Sequence, residues 1–500
     1  MPRFYITTAI DYSNGDPHLG HALEKIGADA IARYRRLCGD DVRFAIGMDE
    51  NSQTILQPAE EAGLTPTAWV DRIAGIFSDH WDRLHISNDD FIRTTEPRHT
   101  RAVTEMIERT RKAGYIYRGT YEGYYCERCE EFKQEKDLAN GRCPEHPHRE
   151  ITWTKEDNYF FKLSAFNDSL LKLLDDHPEF VQPDIRRNEI LNVLKEGLQD
   201  VSMSRHQRGW GIPFPGDTEH VVYVWYDAVI NYLSGTGFPA DGYRDWWPAE
   251  LHVIGKGITR FHCIMWPAML MAAGVELPTT VWAHGYVNWE GRKLSKSSDA
   301  PVTLETAEER HGPDALRYFL LREIPWTGDG DFSWKRFDER YNADLANDLG
   351  NLANRALAMI TKYRAGVVPS GAQTSLDKKA LETLAAYRSA MDRYLLREGA
   401  AAAMELASAA NVFIEEQAPW KLAKDDSLSA DLDRVLAGLA RTLARLAILL
   451  SPFMPEKCAA LWQALGCDRE PSSLDAYREL DLAANTVHCE AVLFPKADSR

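Results

Sequence analysis

The chain reads as an α/β protein: a doubly wound parallel sheet, split by an inserted segment and followed by an α-helical bundle. Three observations carry this reading. Strand and helix patterns alternate over 1–115, a cysteine-bearing stretch with aromatic, polar strands interrupts them over 116–220, and from 341 onward the chain is Ala/Leu-rich with helical periodicity, as in Leu432 to Leu450. Strand patterns return over 221–325. A Gly/Asp-rich connection, Thr327-Gly328-Asp329-Gly330-Asp331, lies within 326–340 and leads into the bundle over 341–500.

Taken in order, Arg3-Phe4-Tyr5-Ile6-Thr7-Thr8 is β-branched and aromatic enough for a buried strand. Ser13-Asn14-Gly15-Asp16-Pro17 is turn chemistry, with Asp16 placed to cap a helix and Pro17 to begin it. Ile26, Ala30, Ile31, Tyr34 and Leu37 recur at helical spacing, which predicts a helix over 17–37 with one apolar face. His18 and His21 share a face of its first turn, where backbone N–H groups and the positive dipole end attract phosphate. Gly20 between them would let a flat base approach the backbone. Val42 to Gly47 is a second strand, and Asp49 is an acid just past its end, where burial demands a partner.

In the inserted segment Cys126-Glu127-Arg128-Cys129 is followed by Cys143-Pro144-Glu145-His146. A Cys-x-x-Cys with a Cys-x-x-His suits a tetrahedral structural zinc, and the polar stretch between them has too little apolar content for a core of its own. Disulfides are the rival reading, disfavoured in a reducing compartment, and His148 competes with His146 as the fourth ligand. The five remaining cysteines, Cys38, Cys263, Cys458, Cys467 and Cys489, are scattered and suit buried apolar roles.

The second half resumes with expected strands at Val221 to Trp225, Leu251 to Gly255 and Val281 to His284. After the last comes a polar loop, Lys293-Leu294-Ser295-Lys296-Ser297, whose two ammonium groups can neutralise a departing pyrophosphate. Imidazoles at a helix start and lysines on a loop, each beyond a strand's carboxyl end, together describe a grip on the triphosphate of ATP.

Composition is ordinary for a globular enzyme: 44% of the 500 residues are hydrophobic and 27% charged, enough for a large core. A net charge of −17 excludes a nonspecific polyanion binder, while leaving room for an RNA partner held on one basic face. The chain enters a strand at once, without the pattern of a signal peptide, so the cytoplasm is the expected compartment. The most apolar stretch, Phe261 to Val275, contains His262 and Pro267 and is too short to span a bilayer, so no membrane partner is expected.

With both short motifs in hand, the chain resembles the class I aminoacyl-tRNA synthetases and, within them, the methionyl-tRNA synthetases. The likeness runs through nearly the whole sequence: Thr7 to Gly15 before His18-Leu19-Gly20-His21, then Tyr223-Val224-Trp225-Tyr226-Asp227-Ala228, Gly255-Lys256, Arg260-Phe261-His262 and Ala283-His284-Gly285-Tyr286. The resemblance implies a Rossmann-like catalytic domain, an inserted zinc-knuckle domain and a helical anticodon-binding domain. It also implies ligation of L-methionine to tRNA(Met) through methionyl-adenylate, with Mg2+-bound ATP and a structural Zn2+. By the same pattern His18, Gly20, His21, Gly255, Lys293, Ser295 and Lys296 would bind ATP, with His18, His21, Lys293 and Lys296 catalytic.

The resemblance further implies that Ala9, Ile10, Tyr12, Trp225, Ala228, Tyr232 and His284 would line the methionine pocket, with Asp49 on the ammonium. Asn351, Arg355 and Trp420 would read the anticodon. Three positions depart from the family pattern: Asp11 stands for a proline, Asn51 for a histidine, and Gly257 for an aspartate on the ribose side. An appended RNA-binding or dimerisation domain is not expected after the bundle, and a monomer is the simplest expectation. Two other functions fit less well: a class I synthetase for another apolar amino acid, for which the insertion leaves little room to edit, and a tRNA-binding paralogue, which has no need of His21 and Lys296.

Overall fold

The computed structural model describes residues 1–126, 131–133, 135, 138–144, 151–289, 291–293, 302–468, 473–488 and 493–496. Its central sheet is parallel and carries β1 (Arg3–Thr8), β2 (Asp41–Asp49), β3 (Asp90–Arg93), β4 (Val181–Gln182), β5 (Leu251–Gly255) and β6 (Thr280–His284). The order is β2-β1-β5-β6-β4, with β3 and the two-residue strand Asp11–Tyr12 also paired to β2. The two halves of the chain meet where β1 pairs with β5, Ile6 facing Leu251 and Thr8 facing Val253. Nearly continuous burial along β1, β2 and β6 is what a parallel sheet covered on both faces requires.

Helix α1 (Leu19–Leu37) connects β1 to β2 and buries Leu23, Ile26, Ile31 and Tyr34. The expected cap at Asp16 and start at Pro17 are corrected: His18 is extended and its ring accepts from the N–H groups of Gly20 and His21, so the helix begins at Leu19. An imidazole here takes the part usually played by a short polar side chain. Mid-helix Gly27 packs against the Trp326 indole so closely that a Cβ would collide with the ring.

Two further expectations are corrected. Val221 to Trp225 is not a strand of the main sheet. Asp217–Val222 pairs antiparallel with Ser204–His206 and Pro213–Phe214 in a small separate sheet, and Val224–Ala228 is helical. A short apolar run carries no period that separates the two conformations. The glycine-rich connection also contains a strand, Gly330–Phe332, which pairs parallel with Val287–Trp289.

The segment 116–220 builds an antiparallel sheet in which Ile116–Cys126 pairs with Thr152–Phe161, yet it also returns β4 to the edge of the main sheet. Phe261–Val275 is a π-turn, Phe261–Met265, running into α2 (Trp266–Ala273), all but two of whose residues through Ala273 are buried. Among the described residues no helix is long and apolar enough to cross a membrane.

The C-terminal part is helical: α3 (Pro313–Glu323) leads to α4 (Asn351–Arg364), α5 (Ser375–Met391), α6 (Leu396–Gln417) and α7 (Ser429–Leu450). One apolar cluster runs without a break from α1 into α7. Arg317 of α3 pins the two parts together. Fully buried, it donates to Asp29 of α1, to the Leu84 carbonyl, and to the carbonyls of Pro452 and Phe453 beyond α7.

Candidate active site

The site lies at the carboxyl ends of β1, β2, β5 and β6, where the strand order leaves a crevice in a doubly wound sheet. On its near side the rings of His18 and His21 stack, 3.8 Å between centroids and 16° apart. His18 Nδ1 accepts from the backbone, and His21 Nδ1 accepts from the His18 N–H at 3.1 Å. Each ring therefore carries its hydrogen on Nε2, a donor suited to a phosphate oxygen. A Cβ at Gly20 would sit 2.8 Å from His18 Cε1, so the glycine makes room for that ring.

Beyond the histidines the chain forms a pocket. Ala9 is buried, Ile10 and Tyr12 are half-buried, and Tyr12 pairs in register with Asp49, which is the last residue of β2 and is itself buried. Ser13 binds the Asp49 carbonyl through both its N–H and its hydroxyl, fastening the loop to β2. The Tyr12 and Trp225 rings lie 5.9 Å apart, and Trp225 stacks on Phe261 at 4.2 Å. Ala228 is half-buried in the same helical turn as Trp225, and its carbonyl accepts from Asn231. That turn is held by buried Asp227, which accepts from His99 Nε2 at 2.5 Å and from Asn51 Nδ2 at 2.7 Å. Asn51 thus keeps a donor facing Asp227 although it departs from the family histidine.

The pocket floor is a neutral aromatic network. Buried Tyr232 donates to His262 Nε2 at 2.6 Å, while His262 Nδ1 donates to the Ile258 carbonyl. Tyr232 also stacks on His252 at 4.2 Å, and His252 accepts from Trp266 Nε1 and bonds Thr7 Oγ1 at 2.7 Å. Burial pushes the His262 imidazole down to about 4 and drives His252 well below the ordinary histidine value, so both rings stay uncharged. In the sequence Asp227, Phe261 and His262 stand out only within the phrases that carry the resemblance, and His252 and His99 not at all as site residues.

On the far side, Gly255 ends β5 opposite His284, which ends β6. His284 stacks on Trp326 at 5.3 Å, donates through Nδ1 to the Gly285 carbonyl, and faces Glu24 of α1 through Nε2 at 3.3 Å. Gly257 abuts the Tyr286 hydroxyl, which fills the place a Cβ would need. Neighbouring Lys256 bonds Asp329 at 2.7 Å and lies over the Tyr286 ring.

Lys293 belongs to the short strand Arg292–Lys293, paired with Val287–Trp289. Ser295 and Lys296 lie outside the described residues, as do Cys129, His146 and His148; Cys126 and Cys143 are both buried. In the bundle, Asn351 is exposed at the start of α4, Arg355 bonds Glu415 of α6 at 2.6 Å, and half-buried Trp420 follows the end of α6.

A parallel sheet whose halves meet at one crevice, with donor imidazoles on one rim and an aromatic pocket beside them, defines a nucleotide-dependent enzyme of the doubly wound kind. The sequence model of tRNA synthetases class I (M) matches residues 4–357, and that of the anticodon binding domain of methionyl tRNA ligase matches residues 365–499. The methionine–tRNA ligase of Thermotoga maritima is 42% identical across 100% of this chain and 81% of its own length. That of Caldanaerobacter subterraneus is 42% identical across 99% and 79%. The solved Mycobacterium tuberculosis methionyl-tRNA synthetase in complex with methionyl-adenylate superposes with a TM-score of 0.94 at 39% identity, covering 99% of this chain and 100% of that one. The chain belongs to the methionyl family of class I tRNA synthetases.

Proposed function

We infer that this chain ligates methionine to tRNA(Met) in two steps. The methionine carboxylate attacks the α-phosphate of ATP, breaking the bond to pyrophosphate and giving methionyl-adenylate. The terminal ribose hydroxyl of the tRNA then takes the methionyl group and releases AMP. The observation that carries this reading is the stacked His18–His21 pair at the start of α1, beside the pocket of Tyr12, Trp225 and Tyr232 on the same edge of the sheet.

In this reading the Nε2–H groups of His18 and His21 donate to the phosphates, and Lys293 and Lys296 neutralise the charge that builds up as pyrophosphate departs. The protein positions and stabilises charge and forms no covalent intermediate of its own. Gly20, Gly255 and Ser295 complete the nucleotide site. Ala9, Ile10, Tyr12, Trp225, Ala228, Tyr232 and His284 surround the methionine side chain, and Asp49 receives its ammonium. Buried Tyr232 donating to an uncharged His262 supports a pocket suited to a thioether rather than a charged group.

Mg2+ accompanies ATP as part of the substrate. Cys126, Cys129, Cys143 and His146 would hold Zn2+, which would supply structural stability alone; the burial of both Cys126 and Cys143 and the thiol-rich donor set support it. The catalytic unit spans 1–115 and 221–325, the inserted unit 116–220, the connection 326–340 and the anticodon-binding unit 341–500. Asn351, Arg355 and Trp420 read the anticodon. The protein works as a cytoplasmic monomer.

Lys296→Ala tests the reading: ATP–pyrophosphate exchange with methionine should fall by about 10²–10³, the effect of removing one preorganised donor. Exchange at the unaltered rate would overturn the assignment.

A further inference from the structure

Beneath the two histidines lies a buried group of charges that the reaction above does not use. Lys25 sits on α1 one turn beyond His21, and its side chain has no exposure at all. Its ammonium donates to the Ala9 carbonyl at 2.8 Å, to Glu24 Oε1 at 2.8 Å, and to the Asp11 carboxylate, with oxygens at 3.0 and 3.1 Å. Three donors meet three acceptors. Glu24 extends the chain to His284 across the crevice. Asp11 faces the other way as well, its Oδ1 lying 4.0 Å from His21 Nε2. Burial alone would discharge Lys25, yet the carboxylates of Asp11 and Glu24 outweigh it and hold the ammonium above the ordinary lysine value.

We propose that Lys25 is a positioning residue of this site: it locks the Ala9–Tyr12 loop to the histidine-bearing helix and neutralises Asp11, so that a carboxylate beside His21 does not repel the ATP phosphates. The ammonium ties a backbone carbonyl of the amino-acid pocket and a side chain of the phosphate rim to one point. Removing it frees the loop and takes from Asp11, which faces the rim, the ammonium 3.0 Å away, in a setting where like charges interact strongly. Asp11 and Lys25 therefore form a matched pair, each tolerated because of the other.

The proposal rests on His21 binding phosphate, and the test separates the two. ATP–pyrophosphate exchange is measured for Lys25→Met, Asp11→Asn, the double variant and His21→Ala, with KM for ATP and methionine taken apart. Lys25→Met should raise the KM for ATP on the order of tenfold, more than that for methionine, and adding Asp11→Asn should recover most of the loss. A double variant no better than Lys25→Met, or Lys25→Met with the parental KM for ATP, would overturn the proposal. Should Lys25→Met not fold, Lys25→Gln keeps a donor for Ala9 without the charge, and failure of Asp11→Asn to rescue it is equally decisive. Full exchange in His21→Ala would instead overturn the reading of the phosphate rim.

Discussion

The two sides of the crevice bury their polar groups in opposite ways. Under α1 the solution is charge matched by charge: Lys25 with Asp11 and Glu24, and Asp29 with Arg317 and Arg33. Burial alone would raise the Asp29 carboxyl, but the two guanidiniums and Ser87 bring it down to about 2. On the β5 side Tyr232, His262, His252, Thr7 and Trp266 satisfy one another without any charge. The first arrangement anchors the phosphate rim and is intolerant of losing one partner. The second keeps the floor of the amino-acid pocket free of fixed charge and depends on its histidines staying unprotonated.

The sharpest way to break this contrast is Arg317→Met, which leaves buried Asp29 with Arg33 and Ser87 alone and takes the donor from three carbonyls in the interior. Urea unfolding should show a loss of about 3–5 kcal/mol, the usual effect of removing one partner of a buried pair. A neutral outcome would mean that the charged side is no more brittle than the other.

Acid probes the neutral side. An unfolded histidine titrates near 6.5, whereas folded His262 titrates near 4, so between those values only the unfolded chain takes up the proton. Stability is therefore complete above pH 6.5 and declines as pH falls toward 4, by up to about 3 kcal/mol. Thermal melts across that window should show the decline, and His262→Asn should lessen it by the share of His262, the part owed to buried His252 remaining. Tyr232→Phe is the milder probe, since His262 Nε2 then loses its donor. The expected effect is about 1–3 kcal/mol, with KM for methionine rising while KM for ATP holds. Smallest is the surface pair Arg355–Glu415, one partner of which is 62% exposed. Arg355→Ala should shift stability by less than about 1 kcal/mol, while tRNA charging falls and ATP–pyrophosphate exchange does not.

How far the sequence discloses this arrangement depends on the kind of signal. Periodic burial made β1, α1 and the long helix ending at Leu450 readable, because one face repeats along each. His18 and His21 were readable as a pair since both lie in one turn. The cap was misplaced because turn residues preceded a histidine able to do the same work. The resemblance puts Trp225 at the pocket, while the apolar run that holds it is compatible with strand and helix alike and folds as a helical turn.

Contacts between distant segments left no such trace. His99 meets Asp227, and Tyr232 meets His262, only once the sheet is closed. Lys25 looked like any polar residue of a helix, and nothing in its neighbours announces that the fold seals it from water. Asp11 was visible as a departure, but its explanation lay fourteen residues away on another element.

Gly27 shows what such closeness demands of mutation. In the middle of a helix glycine gives up about 0.5–1 kcal/mol relative to alanine, so replacing it would ordinarily be an improvement. Here even one methyl group would strike the Trp326 indole, which itself supports His284. A saturation library at this codon should return glycine alone among active clones, and any escape from that rule should arrive with a smaller residue at 326.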